Sequence, residues 1–477
     1  MNQSLRSAVA FVLMFVPASL PGQPKADPKS PAGFWEGPLK AGPLELRIAF
    51  KVTQDKDGKL AAKMDSIDQG GKDIPCSDVA FAEGKLSLTV PSIKGKFSGA
   101  MSEDGAKITG LLEQNGLKLP LELKRVEKLS TVTRPQNPKK PYPYLDEELT
   151  FENAAGKFKL AGTLTLPKGK SPFPAVVLVS GSGPQDRDET LLGHKPFLVL
   201  ADHLTRNGIA VLRYDDRGVG KSAGKHDSAT SADFATDAFA AVTYLRGRKE
   251  IDSKRIGVMG HSEGGLIAPI VAAEHPEEVA FIVLLAGPGV PGDEVVQLQQ
   301  QVLLKAMGAD EATRKFSAKL MASVLPTAKA AGPVDERKKK IEAAATAFLD
   351  GLPADEKKLI GETGSKAAAA GLTRLGDHWM HFFLTFDPRP TLGKVKCPVL
   401  AVNGELDLQV VPEQNVESIE KAVKAGGNDR VVTKVFPKLN HLFQHAKSGT
   451  PSEYGQIEET FSPEALEFIT NWLLKLK

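Results

Sequence analysis

Arg255-Ile256-Gly257-Val258-Met259-Gly260-His261-Ser262-Glu263-Gly264-Gly265-Leu266 is the stretch on which the fold turns. Residues 256–259 read as an apolar strand that runs straight into Gly-x-Ser-x-Gly, and residues 266–274 suit a helix. That order is the strand–turn–helix context of a nucleophile elbow. A turn so tight leaves no room for side chains at Gly260 and Gly264, and glycine accepts the dihedrals it demands. The reading predicts a Ser262 hydroxyl lifted above a sheet edge, where a base can reach it. A plain Gly/Ser surface turn is the alternative.

Serine needs a base to act as a nucleophile at neutral pH, and that base needs an orienting acid. Both partners follow Ser262 in the chain order Ser, Asp, His. Val399-Leu-Ala-Val-Asn-Gly404-Glu405-Leu406-Asp407 is a strand entering a loop, which places Asp407 at the sheet edge. Pro437-Lys-Leu-Asn440-His441 follows the last strand and offers His441 as the base. Glu405 is the competing acid and His445 the competing base. His378 and His381 sit on an aromatic-rich segment with Trp379, Phe382 and Phe383 and read as packing or rim residues. His261 reads as structural, pinned beneath the nucleophile.

Acyl transfer also calls for two preorganised N–H donors at the developing oxyanion. One expected donor is the N–H of Glu263, directly after the nucleophile. The other is the N–H of Ser182, in the loop Ser180-Gly181-Ser182-Gly183-Pro184-Gln185-Asp186-Arg187-Asp188 that follows an apolar strand at 175–179. Gly218-Val-Gly220-Lys221-Ser222 ends like a phosphate-binding loop, but the position requiring the first glycine holds Asp215. Asp215-Asp216-Arg217-Gly218 therefore reads as a structural turn.

Farther out, residues 146–477 alternate buried apolar strands with helices, the pattern of a mainly parallel sheet covered on both faces. The alternation stops over 288–390, where 297–325, 335–349 and 372–386 look helical. This segment is read as a helical cap inserted in the sheet, and the cap is expected to choose the substrate. Residues 33–128 show short alternating strands separated by turn signals at Asp57-Gly58, Glu83-Gly84, Asp104-Gly105 and Asn115-Gly116. They predict a small antiparallel barrel or sandwich without evident chemistry. A proline-rich linker spans 129–145.

Taken together, Gly-His-Ser-Glu-Gly-Gly, Ser-Gly-Ser-Gly-Pro-Gln-Asp-Arg-Asp, Tyr-Asp-Asp-Arg-Gly-Val-Gly-Lys-Ser and Asn-Gly-Glu-Leu-Asp-Leu-Gln-Val-Val-Pro resemble the α/β-hydrolase superfamily. The nearest resemblance is to bacterial EstD-type serine esterases, relatives of the S9 and S33 serine peptidases, and it covers roughly 145 to 477. It implies hydrolysis of carboxylic esters with Ser262, Asp407 and His441 as triad. Ser180 departs from the wider superfamily, many of whose members have His before the oxyanion glycine. An S9/S33-type peptidase or aminopeptidase is the second reading, and a non-catalytic binding protein with a vestigial hydrolase domain is the third.

Composition narrows the rest. A formal net charge of +3 on 477 residues, with basic residues dispersed among acids, argues against a nucleic-acid partner. Arg6 followed by an apolar run at 8–16 reads as a signal peptide within 1–22, so a secreted or periplasmic protein is expected. No later run is long enough to span a membrane. The two cysteines, Cys76 and Cys397, fall in different predicted domains and read as lone thiols. No zinc spacing occurs, and neither metal nor cofactor is expected. The expected partner is a small-molecule ester, and a homo-oligomer stays open.

Overall fold

A computed structural model of the chain describes residues 30–476 except 42–43, 69, 115–116, 355, 358–365 and 367. The expected signal peptide at 1–22 and the Asn115-Gly116 turn lie outside the described residues. Two compact units form, one built mainly from 47–65 and 72–129, the other mainly from 130–477.

The first unit is a nine-stranded antiparallel sheet. Its strands are β1 (Gly33–Ala41), β2 (Leu44–Gln54), β3 (Leu60–Ser66), β4 (Gly71–Pro75), β5 (Ser77–Ala82), β6 (Lys85–Val90), β7 (Gly95–Met101), β8 (Lys107–Gln114) and β9 (Leu117–Val126). The spatial order is β4-β3-β2-β1-β9-β8-β7-β6-β5. The two edge strands, β4 and β5, are neighbours in the chain across Cys76, so the sheet curls into a nearly closed barrel. Alternate residues point inward, and Trp35, Phe50, Leu86, Phe97 and Ile108 are fully buried there. Glu83 and Gly84 both adopt positive φ, 50° and 74°, as a primed hairpin turn requires.

The second unit is an α/β-hydrolase core. An eight-stranded sheet comprises β10 (Leu145–Asn153), β11 (Phe158–Leu166), β12 (Phe173–Val179), β13 (Ala210–Tyr214), β14 (Ile251–His261), β15 (Phe281–Leu285), β16 (Val399–Gly404) and β17 (Val431–Phe436). The order is β10-β11-β13-β12-β14-β15-β16-β17. The hairpin β10–β11 and the β11–β13 pair are antiparallel, and the pairs from β13 to β17 are parallel. Successive residues of β12 feed opposite cores: Ala175, Val177 and Val179 face one, Val176 and Leu178 the other. The first core is closed by α2 (Ser231–Arg246), α3 (Glu263–Glu274) and α9 (Pro412–Ala425). The second is closed by α1 (Pro196–Arg206) and α10 (Pro463–Lys475).

Between β15 and β16 lies the helical insertion. It holds α4 (Gly292–Ala306), α5 (Glu311–Lys329), α6 (Val334–Asp350), α7 (His378–Thr385) and the short α8 (Arg389–Leu392). The helix expected over 297–325 is two helices. Asp310 breaks it by capping α5, its carboxylate accepting the Thr313 N–H at 2.8 Å. The insertion has an apolar core of its own around Val324, Ile341, Ala345 and Leu384. Cys76 and Cys397 are both free.

Candidate active site

β14 delivers the chain into the elbow, and Ser262 takes φ 53°, ψ −114°, a conformation L-residues rarely adopt. Main chain enforces it from three sides. A Cβ on Gly260 would lie 1.9 Å from the Gly264 carbonyl oxygen, and one on Gly264 would lie 2.1 Å from that of Val179. A Cβ on Gly265 would come within 2.6 Å of Gly287 Cα. The Ser262 N–H donates to the Leu285 carbonyl at 2.8 Å, anchoring the turn to β15.

Asp407 and His441 come together as the spacing predicts. His441 Nδ1 lies 2.8 Å from Asp407 Oδ2, and both side chains are buried. Asp407 Oδ1 accepts the N–H groups of Gln409 and Val410 at 2.8 and 2.9 Å, which fixes the carboxylate plane. His441 and Ser262 line one cavity of about 330 Å³. Neither competitor reaches it. Glu405 accepts the Lys438 N–H at 2.9 Å, and His445 pairs with Glu459 at 2.9 Å on the exposed side. In the cap, His381 Nδ1 lies 2.9 Å from the Ala328 carbonyl oxygen.

The loop after β12 stands directly against Ser262, since a Cβ on Gly181 would lie 3.3 Å from Ser262 Cβ. The Gly181 N–H donates to Glu189 Oε1 at 2.7 Å, leaving Ser182 as the next donor along the loop. Asp216 holds this loop by accepting the Ser180 hydroxyl at 2.7 Å and the Gln185 N–H at 2.9 Å. The departure at Ser180 thus has a local role in anchoring the loop. At the start of α3, the Glu263 N–H precedes the first intrahelical bond and has no helical acceptor.

Three features escaped the sequence reading. His261 is buried, but its partners could not be read: Nδ1 lies 2.9 Å from Glu189 Oε1 and Nε2 3.0 Å from the His441 carbonyl oxygen. Burial pushes its pKa down, yet the Glu189 carboxylate outweighs that, and the net direction is up. Glu189 carried only the weak signal of an acidic loop.

The second feature is the Glu263 side chain. It is 3% exposed and accepts both the Ser231 hydroxyl and the Trp379 indole N–H at 2.6 Å. Burial pushes its carboxyl up to about 7. The third corrects an expectation. The cavity at Ser262 is lined by residues 181–196, His261, Gln409 and residues 441–460, with no described residue of 288–390 among them. The cap reaches the elbow through the Trp379–Glu263 bond instead.

Among the described residues no cluster of His, Cys, Asp or Glu is arranged to hold a metal ion. Among them, too, no helix is long and apolar enough to cross a membrane.

Fold and elbow together define a serine hydrolase of the α/β-hydrolase class. Residues 195–445 match the family model described as serine aminopeptidase, S33, and the chain belongs to that family. It is 29% identical over 336 residues to the esterase EstD of Thermotoga maritima, covering 70% of this chain and 69% of that one. Among solved structures, the Pyrococcus furiosus esterase Pf2001 aligns with a TM-score of 0.38 and 18% identity, over 70% of this chain and 93% of that one. Est1E of Butyrivibrio proteoclasticus with bound ferulic acid aligns with a TM-score of 0.38 and 17% identity, over 68% and 96%.

Proposed function

We propose that the chain is a carboxylic ester hydrolase in which Ser262, His441 and Asp407 form the triad. The observation that carries this is the 2.8 Å bond between buried His441 Nδ1 and Asp407 in the cavity that Ser262 also lines. Nδ1–H donates to Asp407, which selects the tautomer with a free Nε2 lone pair. Nε2 takes the Ser262 hydroxyl proton as Oγ bonds to the ester carbonyl carbon. The N–H groups of Glu263 and Ser182 hold the oxyanion. As the C–O bond breaks, the imidazolium returns its proton to the leaving alcohol. Water, deprotonated by His441, then releases the acid and restores Ser262.

The aminopeptidase reading has its own support: the matched family model is that of serine aminopeptidases, and by itself it favours amide substrates. The charge balance at the cavity favours esters. Glu189, the acid that lines the cavity with Ser262, already faces His261 at 2.9 Å, so no uncompensated carboxylate awaits a substrate ammonium there. Comparing p-nitrophenyl acetate and butyrate with aminoacyl p-nitroanilides, for wild type and Ser262→Ala, decides the matter. Ester turnover lost in the variant is expected. Anilide turnover that far exceeds ester turnover would establish the aminopeptidase.

Export and domain partition are further proposals. The pattern at 1–22 supports a cleaved leader, checked by the intact mass of protein recovered from the periplasm or medium. The partition into 33–128, a linker at 129–145 and 146–477 with its insertion at 288–390 is checked by limited proteolysis, which should cut first within 129–145.

A further inference from the structure

Glu189 uses only half of its carboxylate. Oε1 accepts both the Gly181 N–H at 2.7 Å and the His261 ring at 2.9 Å. Oε2 takes no hydrogen bond from any described residue, and it is not sealed from solvent. The side chain is 7% exposed, and Glu189 lines the cavity that holds Ser262 and His441. A carboxylate oxygen that no protein donor satisfies, on a side chain lining the reaction cavity, is left to water or to a ligand.

The charges around this oxygen restrict the ligand. His261 Nε2 faces the His441 carbonyl, which only accepts, and Nδ1 faces Glu189 Oε1, so with Glu189 ionised both ring nitrogens must donate. The ring and the carboxyl, sharing one proton across that contact, form a pair that is neutral overall. His194, also in the lining, has its pKa pushed down to about 4 by burial and adds no charge. Beside Ser262 and His441 the remaining polar lining is neutral: Ser182, Gln185, Gln409, Gln444, Tyr454 and Thr460. A neutral hydrogen-bond donor suits such a wall better than an ammonium does.

We propose that Glu189 Oε2 is a specificity-determining acceptor for a hydroxyl group on the substrate, so that the favoured substrates are small esters of hydroxylated acids or polyhydroxylated alcohols. This rests on the ester-hydrolase reading above. His261 serves as the counter-ion that holds Glu189 in place, a positioning residue tying the loop after β12 to the backbone of His441.

Hydroxylated and plain esters of matched size test it. On the acyl side, p-nitrophenyl butyrate is compared with its 3-hydroxy and 3-amino analogues. On the alcohol side, propyl butyrate is compared with glyceryl monobutyrate. The wild type should favour the hydroxylated member of at least one pair by roughly 10- to 100-fold in kcat/KM. Glu189→Gln turns an N–H₂ toward the cavity in place of Oε2 and should bring that ratio close to one. A merely structural role would instead lower all substrates alike and leave the ratio intact, which overturns the proposal. Wild-type ratios near one in both pairs also overturn it, even if the variant fails to fold. So does preference for the 3-amino ester, which points to an ammonium site. Flat ratios with ester cleavage intact defeat the Glu189 assignment alone, whereas absence of cleavage of every ester defeats the hydrolase reading beneath it.

Discussion

The elbow below Ser262 is held by glycines packed against main chain, whereas the loops above it are held by side-chain hydrogen bonds. At Gly260, Gly264 and Gly265 the nearest atoms to an added Cβ are backbone, which cannot give way. Above the nucleophile, His194 joins two loops, its Nδ1 2.9 Å from Thr460 Oγ1 and its Nε2 2.9 Å from the Tyr454 carbonyl oxygen. Glu189 and His261 similarly join the loop after β12 to the loop carrying His441. The first kind of restraint admits one residue type and shows in the sequence as a motif. The second admits many polar combinations and shows as nothing in particular. On the proposed reading the nucleophile resides with the first, and the cavity lining that would meet a substrate with the second.

Substitutions on the two sides should therefore differ in size and kind. Ser262→Ala should lower kcat by about 10⁶-fold on p-nitrophenyl butyrate, down to what binding and the oxyanion donors alone provide. Asp407→Asn should cost about 10⁴-fold in kcat with the fold intact by circular dichroism, because the wrong imidazole tautomer is selected. Gly260→Ala should destabilise the unit by about 3 kcal/mol in urea unfolding, since the new Cβ meets backbone. Full stability in that variant would break the contrast drawn between the two sides.

Glu263 gives a prediction with a sign. Burial raises its carboxyl in the folded state to about 7 from 4.5. Between those values the unfolded chain has lost the proton while the folded one keeps it, so its contribution to stability falls as pH rises from about 4.5 to 7 and is flat above. Glu263→Gln should flatten the pH dependence of the unfolding midpoint in that window, and an unchanged slope would contradict the assignment. The smallest effect is expected for Trp379→Phe. It removes the cap's bond to Glu263 but alters no wall of the cavity, so a change of only several-fold in kcat/KM should follow, measured on the same butyrate ester.

What could be read in advance follows the same division. The parallel core was legible because apolar runs such as 175–179 and 281–285 are buried on both faces. The elbow was legible because glycine is required there, and the Asp407–His441 pair because each residue follows its own strand. The barrel showed through its alternation, although β4, with only Ile74 and Gly71 partly buried, has no strong pattern. The break between α4 and α5 was missed because helical periodicity resumes after it and the stop is one capping aspartate. Glu189, the buried Glu263 side chain and the lining of the cavity were illegible because each depends on contacts across distant chain segments. The cap was expected to choose the substrate on its position in sequence alone, and the loops at 181–196 and 441–460 line the cavity instead.

The central claim is that Ser262 is the activated nucleophile of an acyl hydrolase. A fluorophosphonate reacts rapidly with a serine whose proton a neighbouring base removes, and far more slowly with an ordinary serine. The account predicts a single phosphonyl adduct, found by peptide mass spectrometry on the segment containing Ser262 and lost in both Ser262→Ala and His441→Gln. An unlabelled wild-type protein, or an adduct on any other residue, would contradict it.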